Sequence, residues 1–562
     1  MNTNFPKPDD AVLGTGQQQP RLDAAVLGFA PSRYQQAIFD WVEKGRGNAV
    51  VEAVAGSGKT TTLIKASQRI RNKTILFCAF NKHIAETLAN FVGSRTDCRT
   101  IHSLGLRCLY NHLRVTYKDI KLDDNKYYKI ASSYAPSIHF DLECDYHAER
   151  ARWMKNPENM DEPEDIPTLD QVSQNLEKIS TFFRITLTDI YDIYAVREMI
   201  EHYNLSPVAS IERILPSIKS ILEAGEQIAA YQKTIDFTDM IWLPNRWDLS
   251  SRFLYDFILV DEAQDLNKAQ LEIVLKHRAK NSRLLFCGDR YQSIYGFAGA
   301  DISSIQNIIE RTDAVILPLS ICYRCPQSHI RLVQKFVEHI EPAPTAPEGE
   351  VHQIKLEIIE QHLKEGDLVI SRRTAPVVKL CINLIRERIP ARVIGRDIGK
   401  SLNAIIKKVA RMHGFSYDLL ISFLRKYAAK EIQKLEKQGQ DNQARIESLG
   451  DKVLCIMVCY QSFNCTNAEQ LCEEINNLFS DERPKVTLST IHKAKGIEAN
   501  RVFILKPGDL PRRWPNQQPW ELQQELNIKV VALTRAKKSL FIVEDNDSKK
   551  QRDEDKIIID NS

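Results

Sequence analysis

The sequence predicts an α/β protein built from two doubly wound domains on parallel sheets, each interrupted once by a helical insertion. Short β-rich apolar runs ending near Gly or Asp recur in two clusters, as strands buried on both faces require. Long stretches of helical period separate these runs. The 562 residues also exceed what one hydrophobic core accommodates, so several folding units share the chain.

Residues 1–30 are rich in Pro, Gly and Gln and read as a flexible leader. They contain a short echo, Asp9-Asp10-Ala11-Val12-Leu13-Gly14 and Asp23-Ala24-Ala25-Val26-Leu27-Gly28, too brief for a solenoid repeat. The first domain is expected over 31–102 and 236–318, with strands at Ala49 to Val54, Ile75 to Phe80, Phe257 to Val260 and Leu284 to Cys287. Its insertion, 103–235, carries helical runs such as Val172 to Tyr203 and Ile214 to Tyr231. The second domain is expected over 319–400 and 484–547, with strands at Asp367 to Ile370, Val502 to Leu505 and Ser539 to Val543. Glu341 to Gly349 is Pro-rich and reads as a loop. The second insertion, 401–483, is smaller and helical, with Leu420, Phe423, Leu424 and Tyr427 on one face and a solvated charged continuation around Gly439. Residues 548–562 are expected to be a disordered tail.

Hydrophobic residues at 43% and charged residues at 27% exclude collagen-like and intrinsically disordered classes. Lys and Arg total 76 against 73 acids, a formal charge of +3, so any nucleic-acid binding must come from a local channel. The 12 cysteines follow no disulfide framework and suit a reducing compartment. Cys322 and Cys325 form a CxxC without a second Cys/His pair at zinc spacing, and read as buried thiols. The N-terminus lacks a basic region followed by an apolar stretch, and no apolar run reaches the ~18 residues a membrane span needs. Neither secretion nor membrane insertion is expected.

Ala49 to Thr60 places a Gly-containing loop between a strand and a helical run, the context of a phosphate-binding loop. Ala55, Gly56, Ser57, Gly58, Lys59, Thr60 and Thr61 are therefore the candidate phosphate contacts. Small residues let backbone N–H groups reach phosphate oxygens, Lys59 extends to the β/γ-phosphates, and Thr60 is a Mg²⁺ ligand. Ala53 occupies the position of the first glycine in the general pattern. Leu259-Val260-Asp261-Glu262-Ala263-Gln264-Asp265 supplies the complement, an apolar strand ending in two acids. Asp261 is the expected second metal ligand and Glu262 the group that activates water.

With these motifs, the order of the remaining ones resembles the UvrD/Rep-like helicases of superfamily 1A, from about Pro31 to Val543. The resemblance implies RecA-like P-loop domains, with ATP and Mg²⁺ as cofactors. It makes Gln35 the adenine-reading amide, with Gln36 as the register alternative, and Gln292 a γ-phosphate sensor. Tyr323 would stack on adenine, Arg324 and Arg535 would neutralise the transferring phosphoryl group, and Glu498 would face the nucleotide. Phe80, Asn81, His102, Tyr295, Phe297, Thr490 and His492 would line the DNA. The AFNK wording at Ala79 to Lys82 is closer to the F-box DNA helicase-like relatives than to the commoner TFTNKAA form. Ala298 stands where the family often has Arg, and Val530 where Tyr is common, while Glu525 and Asn527 keep the acid and amide.

The activity so implied is ATP-driven 3′ to 5′ travel on single-stranded DNA with duplex unwinding, in repair, recombination or replication. A translocase or antirecombinase that remodels protein–DNA complexes with little unwinding would carry the same motifs. The expected partners are single-stranded DNA, single/double-strand junctions and an unidentified loading protein, for a monomer or weak dimer. The matching location is nucleoid-associated cytoplasm in a bacterium, or a nucleus.

Overall fold

The computed structural model describes residues 30–544 apart from 80–81, 94, 157–162, 164–165, 204, 295, 297–302, 388, 438–442, 480–485 and 515–516. The expected leader up to residue 29, the expected tail, and the segment around Gly439 lie outside the described residues.

Six parallel strands form the first sheet: β1 (Asn48–Ala53), β2 (Ile75–Ala79), β3 (Thr96–Thr100), β4 (Tyr255–Val260), β5 (Arg278–Gly288) and β6 (Ala314–Leu319), in the order β3-β2-β4-β5-β1-β6. Parallel neighbours require crossovers, and these put helices on both faces. Alternate residues of each strand therefore enter different cores. Ala49, Val51, Leu285 and Cys287 pack with helix α1 (Arg33–Lys44) and α2 (Lys59–Ser67) through Ile38, Phe39 and Leu63. Val50, Leu284 and Phe286 face the other side. Each such aliphatic side chain, fully buried, contributes about 1.5–3 kcal/mol.

Helix α3 (Lys82–Ala89) follows β2, and the first insertion then runs through α4 (Ile101–Leu113), α5 (Lys126–Trp153), α6 (Leu169–Thr186), α7 (Ile193–His202) and α8 (Ile211–Gln232). The helical run from Val172 to Tyr203 is thus two helices. A Thr168/Gln171 capping box starts α6, and Leu187 in a left-handed conformation ends it. The insertion shares one continuous core with the sheet, from Val50 and Phe286 through Leu104 to Leu176 and Ile218. At its return, Lys126 pairs with Asp239 at 2.5 Å, Arg184 reaches Asp236 at 2.7 Å, and the Tyr127 hydroxyl donates to Asp239 at 3.0 Å. The Arg184 guanidinium stacks 3.5 Å over the Tyr127 ring. These buried charges are all paired, and removal of one partner typically costs about 3–5 kcal/mol. Helices α9 (Asp239–Arg246), α10 (Lys268–Leu275) and α11 (Ser304–Thr312) complete this half.

The second sheet is also parallel: β7 (Glu350–Lys355), β8 (Leu368–Ser371), β9 (Ala391–Val393), β10 (Val486–Thr490), β11 (Ala499–Leu505) and β12 (Ala536–Glu544), in the order β7-β12-β11-β8-β10-β9. Before it come α12 (Gln327–Val333) and a two-residue ladder joining Ile321–Cys322 to Glu341–Pro342, so part of the Pro-rich segment is paired. Helices α13 (Ile359–His362) and α14 (Thr374–Arg386) precede the second insertion, which comprises α15 (Arg396–Ala410), α16 (Leu420–Lys437), α17 (Gln443–Ser462) and α18 (Ala468–Leu478). Helix α19 (Pro519–Leu533) leads into β12. Val369, Phe503 and Phe541 face the insertion helices. Leu368, Ile370, Val502 and Ile504 enter the opposite core, together with Val54 and Ile294 of the first half. Apolar packing therefore joins the two halves.

Five of these twelve strands are not among those expected from sequence: β3, β7, β9 and β10 lack a long apolar run, and β6 is an apolar run that contains Pro318. Four of the five are sheet edges, where one side of the strand meets solvent. No helix among the described residues is long and apolar enough to cross a membrane.

Candidate functional site

The C-terminal ends of β1, β4 and β5 deliver the site, since parallel order brings all three to one edge of the sheet. From β1 the chain turns through Val54 to Gly58 into α2. Gly56 and Gly58 hold φ values of 68° and 78°, a region that costs other residues about 1–2 kcal/mol. From β4 it passes to Asp261 and Glu262, and from β5 to Gly288 and Asp289.

Lys59 Nζ lies 2.9 Å from Glu262 Oε2, and Thr60 Oγ1 donates to Asp261 Oδ2 at 2.7 Å. Burial opposes the Lys59 charge, but Glu262, Asp289 and Asp261 outweigh it and hold the ammonium above its ordinary pKa. Burial and the adjacent Glu262 push the Asp261 carboxyl up. Burial acts the same way on Glu262, but Lys59, Lys495 and the Gln264 amide overcome it and hold that carboxyl down. Gln264 Nε2 donates to Glu262 Oε2 at 2.6 Å, while its Oε1 accepts from the Asp289 backbone at 3.0 Å. Gln292 Nε2 donates to Asp289 Oδ2 at 2.7 Å. The Ser57 hydroxyl is buried and has no hydrogen-bond partner among the described residues. An ammonium, an orphaned hydroxyl, a hydroxyl–carboxylate pair and left-handed glycines fit a phosphate chain and one hard divalent cation.

The second half closes over this edge. Tyr323 N–H donates to Gly56 O at 2.9 Å, and Lys495 Nζ meets Asp265 Oδ2 at 2.6 Å. Asn527 Nδ2 donates to the Arg290 and Ser293 carbonyls at 3.0 and 2.9 Å, and Gly296 N–H to Gln524 Oε1 at 3.0 Å. A Cβ on Gly56 would stand 2.6 Å from Arg324 Cβ, so the approach admits only glycine. The Arg324 guanidinium is paired with Glu498 and reaches Thr534 O at 3.4 Å. Arg535 is 1% exposed, its Nε donating to Val531 O at 2.9 Å and its Nη2 to Thr534 Oγ1 at 3.1 Å. Burial and the Arg324 charge push its guanidinium down to about 9, an environment that an arriving anion would relieve. Tyr323 keeps 49% of its surface exposed.

Gln35 is buried beside α2, donating from Nε2 to Thr62 Oγ1 at 3.1 Å and accepting from Ser32 N at 3.0 Å in a capping box. Gln36 is exposed and bonds Asp40, so Gln35 is the register that adjoins the phosphate loop. Thr61 lies in the first turn of α2.

His102 follows β3 and stacks on Phe237, with ring centroids 4.0 Å apart and planes at 26°. Burial pushes its imidazole down to about 4. Thr490 ends β10, and burial, with Arg372, Lys493 and Lys495 nearby, pushes His492 down to about 3. These residues stand at the C-terminal edges of two different sheets. Phe80, Asn81, Tyr295 and Phe297 lie outside the described residues.

Three residues at the site are not singled out by sequence. Asp289 is the hub for Gln292 and Gln264, and its only signal is its place after the Gly that ends β5. Lys495 is legible as part of a motif but not as the partner of Asp265. Phe237 is 47% exposed between the buried acids Asp236 and Asp239, and an aromatic in an acid-rich turn is a weak signal by itself.

The family model for the UvrD/REP helicase N-terminal domain matches residues 35–313, and that for the UvrD-like helicase C-terminal domain matches residues 396–546. F-box DNA helicase 1 of Gallus gallus is 24% identical over 546 residues, covering 88% of this chain and 47% of that protein. F-box DNA helicase protein 1 of Schizosaccharomyces pombe is 23% identical over 522 residues, 88% of this chain and 55% of that protein. ATP-dependent DNA helicase UvrD1 of Mycobacterium leprae is 26% identical over 360 residues, 58% of this chain and 40% of that protein. The chain spans about half the length of the relatives it matches.

Proposed function

The chain belongs to the UvrD-like helicase family, and from that premise we propose that it is an ATP-driven motor that moves 3′ to 5′ on single-stranded DNA and separates duplex. Its setting is DNA repair, recombination or replication, in a nucleoid or a nucleus. The observation that carries the reading is the pairing of Lys59 with Glu262 and Thr60 with Asp261 at one sheet edge, faced by Arg324 and Arg535 from the other half.

Each group has a chemical task in that reading. Lys59 transfers its ammonium from Glu262 to the β/γ-phosphate oxygens of ATP. Glu262 thereby loses its strongest counter-charge and becomes more basic, as the acceptor of a proton from attacking water must be. Gln264, which bonds both Glu262 and the Asp289 backbone, keeps the carboxylate aimed. Mg²⁺, when bound, supplies neutralisation of phosphate charge, and Thr60 and Asp261 are the side chains that would hold it. Arg535 and Arg324 offset the charge that builds on the transferring group, Tyr323 offers an exposed ring to adenine, and Gln292 reports the γ-phosphate through Asp289.

The Lys495–Asp265 pair and the Asn527 bonds to the Arg290–Ser293 segment link nucleotide chemistry to the outer edge, because they join the halves directly beside the acids. Closure and release of the cleft then alternate the grip on DNA at His102 and Phe237 on one side and Thr490 and His492 on the other. A rigid, half-exposed ring such as Phe237 stacks on any base, worth about 1–3 kcal/mol, without reading sequence. Separating a base pair costs about 1.4 kcal/mol of stacking, which suits small steps.

The test is ATP hydrolysis with and without single-stranded DNA, beside unwinding of duplexes carrying a 3′ or a 5′ tail. Strand separation from the 3′ tail, lost in Glu262→Gln, is the expected result. DNA-stimulated hydrolysis without separation would instead assign a translocase that remodels protein–DNA complexes, and absence of stimulation would overturn the motor reading.

A further inference from the structure

Cys322 and Cys325 bracket Tyr323 and Arg324, the two residues that meet the phosphate loop from the second half. Both are buried. Cys325 N–H donates to Cys322 Sγ at 3.4 Å. Cys325 Sγ also donates to Thr534 O at 3.6 Å, the carbonyl that Arg324 reaches and the residue before Arg535. Cys322 Sγ lies 3.0 Å from the position a Cβ on Gly56 would take. The dithiol therefore touches three parts of the cleft at once: the loop glycine, the Tyr323-Arg324 pair and the Arg535 mount. Among the described residues no group of three or more His, Cys, Asp or Glu side chains is placed to hold a metal ion.

We propose that Cys322 and Cys325 form a reversible disulfide that disables the nucleotide cleft under oxidising conditions. The oxidant is a small-molecule disulfide of the glutathione type. The Cys322 thiolate attacks one of its sulfurs, forming a mixed disulfide and expelling one thiolate. Cys325 then gives up its proton and attacks the Cys322 sulfur, expelling the second, so that two protein thiols are oxidised and two small thiols are produced. Cys322 is the attacking sulfur because hydrogen bonds from Cys325 and the nearby Arg324 charge favour its thiolate. Bond formation draws the two sulfurs to about 2.05 Å. That takes Cys325 off Thr534 O and re-aims Tyr323 and Arg324 within a four-residue ring. With Gly56 seated against Cys322 the thiols are covered, so the reaction belongs to the open cleft and bound nucleotide slows it.

The inference rests on the nucleotide reading above, and its test separates the two. The reduced full-length chain is incubated with oxidised glutathione, with and without a non-hydrolysable ATP analogue, then alkylated and mapped by peptide mass. Binding of a fluorescent ATP analogue with Mg²⁺ and ATP hydrolysis are measured in parallel. A Cys322–Cys325 linked peptide is expected, slower to form with nucleotide present, with nucleotide affinity reduced at least tenfold and restored by dithiothreitol. Cys325→Ser, whose hydroxyl can still donate to Thr534 O, is expected to bind nucleotide and to stop at the Cys322–glutathione mixed disulfide, with no linked peptide. Absence of the linked peptide, or its formation with unchanged affinity, overturns the switch, whatever the variant does. A reduced chain that binds nucleotide without hydrolysing it overturns the motor reading alone.

Discussion

Lys59 Nζ and Glu262 Oε2 stand 2.9 Å apart, joining the start of α2 to the turn after β4 across 203 residues of sequence. The pair is partly open, with 11% and 29% of the two side chains exposed, so the lysine is within reach of an incoming anion. Replacement of either partner should therefore have different consequences. Glu262→Gln keeps an acceptor for Lys59 and should retain nucleotide binding while hydrolysis falls by about 10²–10⁴. Lys59→Met leaves Glu262, Asp261 and Asp289 without their shared cation and should lose nucleotide binding itself. Equilibrium binding and single-turnover hydrolysis on both variants distinguish these outcomes.

The two loop glycines should respond unequally to alanine. Both carry left-handed backbone, a strain of about 1–2 kcal/mol for Ala. At Gly58 a Cβ meets nothing within 4 Å, whereas at Gly56 it meets Arg324 Cβ at 2.6 Å and Cys322 Sγ at 3.0 Å. Gly56→Ala should hold the halves apart and depress hydrolysis at least tenfold more than Gly58→Ala. Nucleotide affinity and turnover of the two variants side by side provide the check.

Phe237 should contribute to DNA affinity by stacking rather than by charge. Phe237→Ala is expected to weaken single-stranded DNA binding by about 1–3 kcal/mol. The dependence of affinity on salt should keep its slope, because no phosphate contact is removed. Fluorescence anisotropy titrations at several salt concentrations measure both quantities.

His277 should make the first half acid-sensitive. Its ring is fully buried, Nδ1 sits 2.8 Å from Ile273 O, and burial pushes the imidazole down to about 4. The unfolded chain takes up this proton near pH 6.5, so between the two values only the unfolded state is protonated and stability falls as pH falls. The contribution is complete above about pH 6.5 and up to about 3 kcal/mol is lost by pH 4. Urea midpoints between pH 7 and pH 5 should drop for the native chain and drop less for His277→Gln.

The oxidation switch at Cys322 and Cys325 adds a condition to these measurements. Each should be made under reducing conditions, where the Tyr323 bond to Gly56 O is intact.

The parts of this protein written most plainly in its sequence are those governed by local pattern. Strands such as Ile75–Ala79 and Tyr255–Val260 are buried on both faces, and only a run of apolar residues satisfies that burial. The phosphate loop is equally local, because small residues followed by Lys and Thr create it wherever a strand precedes and a helix follows. Edge strands such as Glu350–Lys355 escape pattern because solvent accepts polar residues on their open side. Tertiary structure alone decided which of Gln35 and Gln36 adjoins α2, that Lys495 closes on Asp265, and that Phe237 lies on His102. Those contacts join residues 27, 230 and 135 positions apart, and their geometry depends on how two sheets and an insertion pack rather than on any neighbouring residue.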